Sequence, residues 1–341
     1  MKARILGTGR EINITLEDAE LLKLLSVIAS DNDRKDLSKD LPELPRSAEA
    51  DYYKIPLSWF QERAEANDFV SHYLRFSDQL ADFETYFECL CELHKRRRKY
   101  SIILSAQPLP TMVQVSPRAL LEFGGIPTDV LASWLTWRKW FFDIDNRAGQ
   151  ETGYLFEPIL ASSLGGTPFP STRSPIRRLS DTNKGRQVDC IVGKDAYEFK
   201  LRVTIAASGQ GRFAEEINFA KDCRGSGFRP VLLVLDPTPN PRLSDLKAAF
   251  EAAQGIAFIG DAAWDHLENE AGSVMATFVE RYVRKPISQL DQFAPTLLDL
   301  NASASPDRRT FIFRFGKNGE KHEWLIDRLE KPELATDPEE D

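Results

Sequence analysis

The chain has 341 residues, 42% hydrophobic and 28% charged, with 44 lysines and arginines against 52 aspartates and glutamates, a net charge of −8. A chain of that length buries a substantial core without metals or disulfides, and its composition, close to the average of soluble globular proteins, indicates neither disorder nor membrane residence. The acidic balance argues against indiscriminate coating of nucleic acid, but salt limits a charge's reach to about 8–10 Å, so a local basic face still serves for phosphate.

Residues 1–10 carry no signal-peptide core. Residues 1–145 read as a helical region: apolar residues recur at helical spacing over 16–29, 57–66, 69–93 and 119–142, and Pro42, Pro45, Pro56, Pro108 and Pro110 stand between the segments. No apolar run reaches the roughly eighteen residues of a membrane span, and the stretch from Leu21 to Ile28 is interrupted by Lys23. Cys89-x-Cys91 lacks a second ligand pair and reads as packing. With only four scattered cysteines, the expectation is reduced thiols, a cytoplasmic location and no membrane partner.

Residues 146–285 change rhythm to alternating helices and strands. A helix over 154–164 ends at Gly165-Gly166, and strands over 187–192 and 196–203 form a hairpin about Gly193-Lys194-Asp195. A helix over 212–223 follows, then the continuous apolar run 231–235, which suits a strand buried on both faces. A helix over 244–253, a short strand over 256–259 and a helix ending near Val283 complete an α/β unit. Residues 286–341 read as irregular until a hairpin of 310–315 and 323–328 around Gly316–Gly319, and end in an acidic tail from Glu330.

The charged residues of the hairpin carry the chemistry. Side chains alternate along a strand, so Glu198, Lys200 and Arg202 share one face while Tyr197, Phe199, Leu201 and Val203 share the other. Asp189 points away from the apolar face marked by Val188 and Cys190, and a short hairpin brings it beside Glu198. Two carboxylates so placed suit Mg²⁺, which takes one or two carboxylates plus waters and phosphate oxygens. Lys200, about 7 Å along the strand from Glu198, then orients a water or offsets phosphate charge, and the reaction implied is phosphodiester hydrolysis. The competing reading makes Glu198, Lys200 and Arg202 the solvent face of an edge strand, joined in weak surface ion pairs.

Basic residues gather in two places. Lys95 to Lys99 sets five cations in a row, either a solvated helix end or a DNA-facing patch. The loop 173–186 holds Arg173, Arg177, Arg178, Lys184 and Arg186 against Asp181 alone, and because it feeds the Asp189 strand it is the expected site of phosphate contacts. Gln210 and Arg212, beside Gly209 and Gly211, are placed either to approach a base edge or phosphate or to form an ordinary strand-to-helix turn.

On Val188-Asp189, Glu198-Phe199-Lys200 and the helical segment Gly153 to Glu157, the chain resembles the PD-(D/E)XK nuclease superfamily over roughly residues 150–260. Within it, the chain resembles type II restriction endonucleases of the ApaLI-like group. The resemblance implies a mixed sheet flanked by helices, Asp189 and Glu198 as metal ligands, Lys200 as the catalytic lysine and Glu157 as the helix carboxylate that completes the site. Val188 stands where the motif name has proline. Pro158 directly after Glu157 puts that helix's register in question and keeps Glu151 as the alternative. The activity implied is Mg²⁺-dependent cleavage of double-stranded DNA at a short palindrome by a homodimer, with residues 1–145 supplying recognition and dimer contacts. A structure-specific repair or junction-resolving nuclease and a non-catalytic DNA-binding protein are the competing readings.

Overall fold

The computed structural model describes residues 14–45, 51–62, 68–201, 210–239, 241–291, 298–317 and 320–329. In chain order the helices are α1 (Asp18–Asp31), α2 (Leu57–Gln61), α3 (Phe69–Gln79), α4 (Phe83–Ala106), α5 (Met112–Ala119) and α6 (Thr128–Ser163), followed by strands β1 (Thr167–Phe169), β2 (Arg177–Arg178), β3 (Asp181–Gly185), β4 (Val188–Val192) and β5 (Asp195–Lys200). Then come α7 (Gln210–Gly225), β6 (Arg229–Val234), α8 (Pro241–Ala252), β7 (Ile256–Ile259), α9 (Asp261–Glu270), α10 (Ser273–Val279), a π-turn (Glu280–Arg284), α11 (Lys285–Asp291), β8 (Asp299–Ala304), β9 (Thr310–Lys317) and β10 (Glu320–Asp327). They fall into two compact units, one of residues 18–91 and 153–292, the other of residues 1–17, 92–152 and 293–341.

The first unit is built on a five-stranded sheet ordered β1-β4-β5-β6-β7. The β4–β5 hairpin is antiparallel, whereas β5, β6 and β7 run parallel and are joined through α7 and α8, as parallel neighbours require crossover connections. β6 is buried along Pro230–Val234, which explains its unbroken apolar sequence. Against it α7 sets Phe219, Ala220 and Cys223, and α8 sets Leu243, Leu246 and Phe250. Those residues recur at three to four positions, so each helix turns one continuous face to the sheet. The expected mixed sheet flanked by helices is present.

The second unit holds the antiparallel sheet β10-β9-β8, whose Phe311, Phe313 and Ile326 close over Trp140. Residues 299–304, read as irregular from sequence, form its third strand, because alternation there is masked by Asn301, Ala302 and Ser303. The helix expected over 69–93 is two, α3 and α4, separated where Asp82 takes a positive φ of 52°. The helices expected over 119–142 and 154–164 belong in large part to one, α6, which continues through Pro158 despite the missing donor there. Residue 145, the boundary expected from sequence, lies inside it.

The basic run Lys95–Lys99 lies within α4 and points inward rather than ending a helix. Lys95, Arg96 and Lys99 are buried. Arg96 binds Glu92 at 3.1 Å and Glu151 at 3.1 Å, and Lys99 donates to Glu151 at 2.6 Å. Burial lowers the Lys99 pKa, with Glu151 opposing the shift. Glu151→Ala would leave two cations without their shared counter-charge, and removing one partner of such a buried set costs about 3–5 kcal/mol. Urea unfolding should register a loss of that order, and a change below about 0.5 kcal/mol would show that water already reaches the triad.

Candidate active site

The hairpin register pairs Cys190 with Tyr197 and Ile191 with Ala196. Continuing it places Asp189 opposite Glu198, on the same face of the sheet. There the backbone pairing gives way to a side chain: Asp189 Oδ2 accepts the Phe199 amide at 2.8 Å. This fixes the carboxylate at the strand end. β5 is an interior strand between β4 and β6, and Glu198 and Lys200 project beneath α7 with only about a fifth of each side chain exposed. They are not the solvent face of a sheet edge, so the surface ion-pair reading falls.

Lys200 lies between two carboxylates. Its Nζ donates to Glu198 Oε1 at 2.8 Å and is 3.1 Å from Glu216 Oε1 on α7. Glu216 was not singled out from the sequence. Its signal was legible all the same, because positions 216, 219, 220 and 223 share one helical face and an acid stands in an otherwise apolar row. Glu216 Oε2 is buried without a hydrogen-bond partner among the described residues, a state that costs about 1–3 kcal/mol for a polar group and more for a charged one.

Burial drives the carboxyl pKa values up. Asp189 is raised well above its ordinary value, first by burial and then by the charges of Glu198 and Glu157. Glu157, on α6, is raised by burial and by Glu198. This mutual influence brings Glu157 into the cluster. Glu151, the alternative, is instead occupied by Arg96 and Lys99. Burial works against the Lys200 ammonium, but Glu198 and Glu216 outweigh it and its pKa moves up, so the lysine stays charged and is no general base.

Among the described residues, no three histidine, cysteine, aspartate or glutamate side chains are grouped so as to hold a metal ion by themselves. The donor set is an open pair, Asp189 and Glu198, with Glu157 nearby. That chemistry fits a hard divalent cation which completes its shell with water and phosphate oxygens, as Mg²⁺ does. A cysteine nucleophile does not fit, because burial pushes the Cys190 thiol up to about 12. His266 is engaged elsewhere, 3.0 Å from the Tyr197 hydroxyl and stacked on Phe258.

The basic loop before β4 folds as the two-stranded ribbon β2–β3. Arg173, Arg177 and Lys184 are exposed on it, with Lys184 3.3 Å from Asp181, and Arg178 is half-buried against Glu215 at 2.9 Å. Arg186 is different: it is buried, donates to Asp222 at 2.6 Å and to Glu215 at 2.9 Å, and so ties the ribbon to α7. Beside it Gly185 lets β3 pass close to the Ser171 backbone, since a Cβ there would lie 2.0 Å from the Ser171 carbonyl oxygen. The side chains of Gln210 and Arg212, and the whole of Arg202, lie outside the described residues.

Residues 43–284 match the family described as ApaLI-like restriction endonuclease. The chain is 47% identical over 347 aligned positions to the type II restriction enzyme ApaLI of Acetobacter pasteurianus, covering 96% of this chain and 92% of that protein. No solved structure gives a significant match.

The clustered acids set a pH dependence. A carboxyl whose folded pKa is raised adds stability below its unfolded pKa, near 4, and loses it as pH climbs through the raised value. Metal-free protein should therefore lose stability across that window, and added Mg²⁺ or Ca²⁺ should restore more of it at pH 8 than at pH 5. Asp189→Asn, which keeps an acceptor for the Phe199 amide, should hold or raise the metal-free melting temperature at pH 8 while abolishing the metal-induced rise. Calorimetry that found the same metal shift in this variant would remove Asp189 from the cation site.

Proposed function

The chain belongs to the ApaLI-like restriction endonuclease family, and from that footing we propose that it is a type II restriction endonuclease that hydrolyses duplex DNA at a short palindrome with Mg²⁺. The observation that carries the mechanism is the triad of Glu198, Lys200 and Glu216 beside the recessed Asp189. Asp189 and Glu198 would hold the divalent ion, and Glu157 would add negative charge to the cluster. A bound ion of this kind supplies activation of water and charge neutralisation at phosphorus.

The remaining work falls to the protein's own side chains. Lys200 presents a permanent ammonium to the scissile phosphate, where it orients the incoming water and offsets the charge that grows on the phosphoryl oxygens. Glu216 holds that ammonium from α7, so Lys200 would keep its position even with Glu198 engaged by a cation. Water oxygen bonds to phosphorus and releases a proton to solvent, one P–O ester bond breaks, and the departing sugar oxygen takes up a proton from solvent. Arg173, Arg177, Arg178 and Lys184 on the β2–β3 ribbon meet the DNA backbone, with Arg186 as the buried strut that keeps the ribbon in place. Gln210 and Arg212 remain our proposed contacts at the start of α7. Two copies acting as a homodimer, in the cytoplasm, match the two-fold symmetry of a palindrome.

Incubating plasmid DNA with the pure protein and Mg²⁺ should give discrete, reproducible bands whose ends share one sequence. A smear, or cutting confined to branched substrates, would overturn the restriction reading. Lys200→Ala and Asp189→Ala should each slow cleavage at least about a thousandfold, the loss of several kcal/mol of transition-state stabilisation. Glu216→Gln should lower kcat by about tenfold or more with little change in KM, because the interaction it supports is made in the transition state. Its melting temperature should hold or rise, since the orphaned oxygen carries a stability cost. A lower melting temperature with unchanged kcat would make Glu216 merely structural. Arg177→Ala should weaken binding to all sequences and reduce the salt slope by about one, and an unchanged slope would take the ribbon off the DNA.

A further inference from the structure

The described residues include twenty-one large hydrophobic side chains that are exposed, and ten of them lie between Met112 and Phe142. Such residues occurring singly are ordinary on a protein surface, but a concentration of this kind marks a contact surface. Val113 is 83% exposed, Leu120 79%, Leu121 93% and Phe123 66%. On α6, Val130, Trp134 and Phe141 recur at four and seven positions and so lie along one stripe of the helix.

This is not a face turned outward by a loosely held segment. α5 and α6 form their own small core of Val115, Ala119, Leu131 and Leu135. The segment between them is tethered by Glu122, which accepts the Trp134 indole N–H at 3.0 Å and the Arg138 guanidinium. α5 begins with a capping box of Thr111 and Gln114. The pair therefore has apolar residues on both its inner and outer faces, a pattern that in water calls for a second partner.

We propose that the outer surface of α5, the 120–126 turn and the first half of α6 is where a second copy of this chain docks to form the dimer. The inference rests on the restriction reading above only for the use of that dimer, not for its existence. Aromatic residues bury roughly 150–250 Å² each and aliphatic ones somewhat less, so scaled by their exposure the ten present on the order of 1,000 Å². A standard interface needs about 800 Å² from each partner. The charge pattern points to another protein copy rather than to nucleic acid. Arg138 is already paired with Glu122, and Lys139 with Asp143 at 2.5 Å, while the exposed Arg118 and Asp129 offset one another in charge, leaving a surface of both signs and little net charge. A patch carrying both signs is able to complement itself across a two-fold axis, whereas phosphate binding calls for an excess of cations.

The test compares full-length protein with the Leu121→Glu, Phe123→Glu double variant by sedimentation equilibrium over a range of concentrations. The wild type should be a dimer, and the variant should dissociate with Kd raised at least a hundredfold while its helical circular dichroism is unchanged. On supercoiled plasmid in Mg²⁺ the wild type should produce linear DNA and the variant should accumulate nicked circles. Val113→Glu on α5 repeats the comparison if the double variant loses helicity. A variant that dimerises as tightly as wild type would overturn the proposal, as would a wild type that is monomeric throughout. A monomeric wild type whose variants lose DNA binding assigns the patch to DNA and overturns it equally. Discrete plasmid fragments from a monomer would leave the restriction reading standing without this interface, and a dimer split by the variants but inert toward DNA would do the reverse.

Discussion

Negative charge held away from water is the constraint on which the nuclease unit turns. Asp189, Glu198, Glu157 and Glu216 surround a single ammonium, and burial raises the pKa of Asp189 and Glu157 instead of letting the cluster ionise freely. A folded protein tolerates this arrangement only because the Phe199 amide and Lys200 each satisfy part of it. The rest of the unit follows from that need. β5 must be interior so that its charged face is roofed by α7, and α7 must be fastened, which Arg186 does through Glu215 and Asp222. The proposed cation would offset this charge, the usual relation between stability and function where a site carries a cost to the fold.

Much of this was legible in the sequence, for particular reasons. The period-two alternation of residues 196–200 fixed which side chains share a face, and the turn Gly193-Lys194-Asp195 fixed the pairing that sets Asp189 against Glu198. The apolar run of β6 announced a strand covered on both sides. What strand alternation alone does not convey is depth. From the sequence Glu198 and Lys200 suited either a surface or an interior, and only the crossover through α7 decides between them.

Charge type misled wherever burial was unknown. Lys95, Arg96 and Lys99 look like a solvated basic run, yet all three are buried: Lys95 pairs with Glu92, and Arg96 and Lys99 share Glu151, a residue more than fifty positions away in sequence. Arg186 looks equivalent to Arg177 and Lys184, yet it faces inward, because Glu215 and Asp222 stand two turns apart on the helix it meets. Glu216 went unremarked for the opposite reason: one acid in a helix rich in charge draws no notice until its neighbours at three, four and seven positions are seen to be core. Pro158 was weighed too heavily, since α6 absorbs the lost donor and continues.

The order in which the chain is made gives the two units different histories. Every residue of the proposed cutting centre lies between positions 157 and 216, within the unit that ends at residue 292, whereas the second unit needs β8, β9 and β10 to cover Trp140. At about 5–20 residues per second, a ribosome takes roughly ten seconds to travel from the last catalytic position to the end of the chain. A growing polypeptide thus holds the whole acidic cluster before the unit bearing the α5–α6 surface can close, so any pairing through that surface has to await β10.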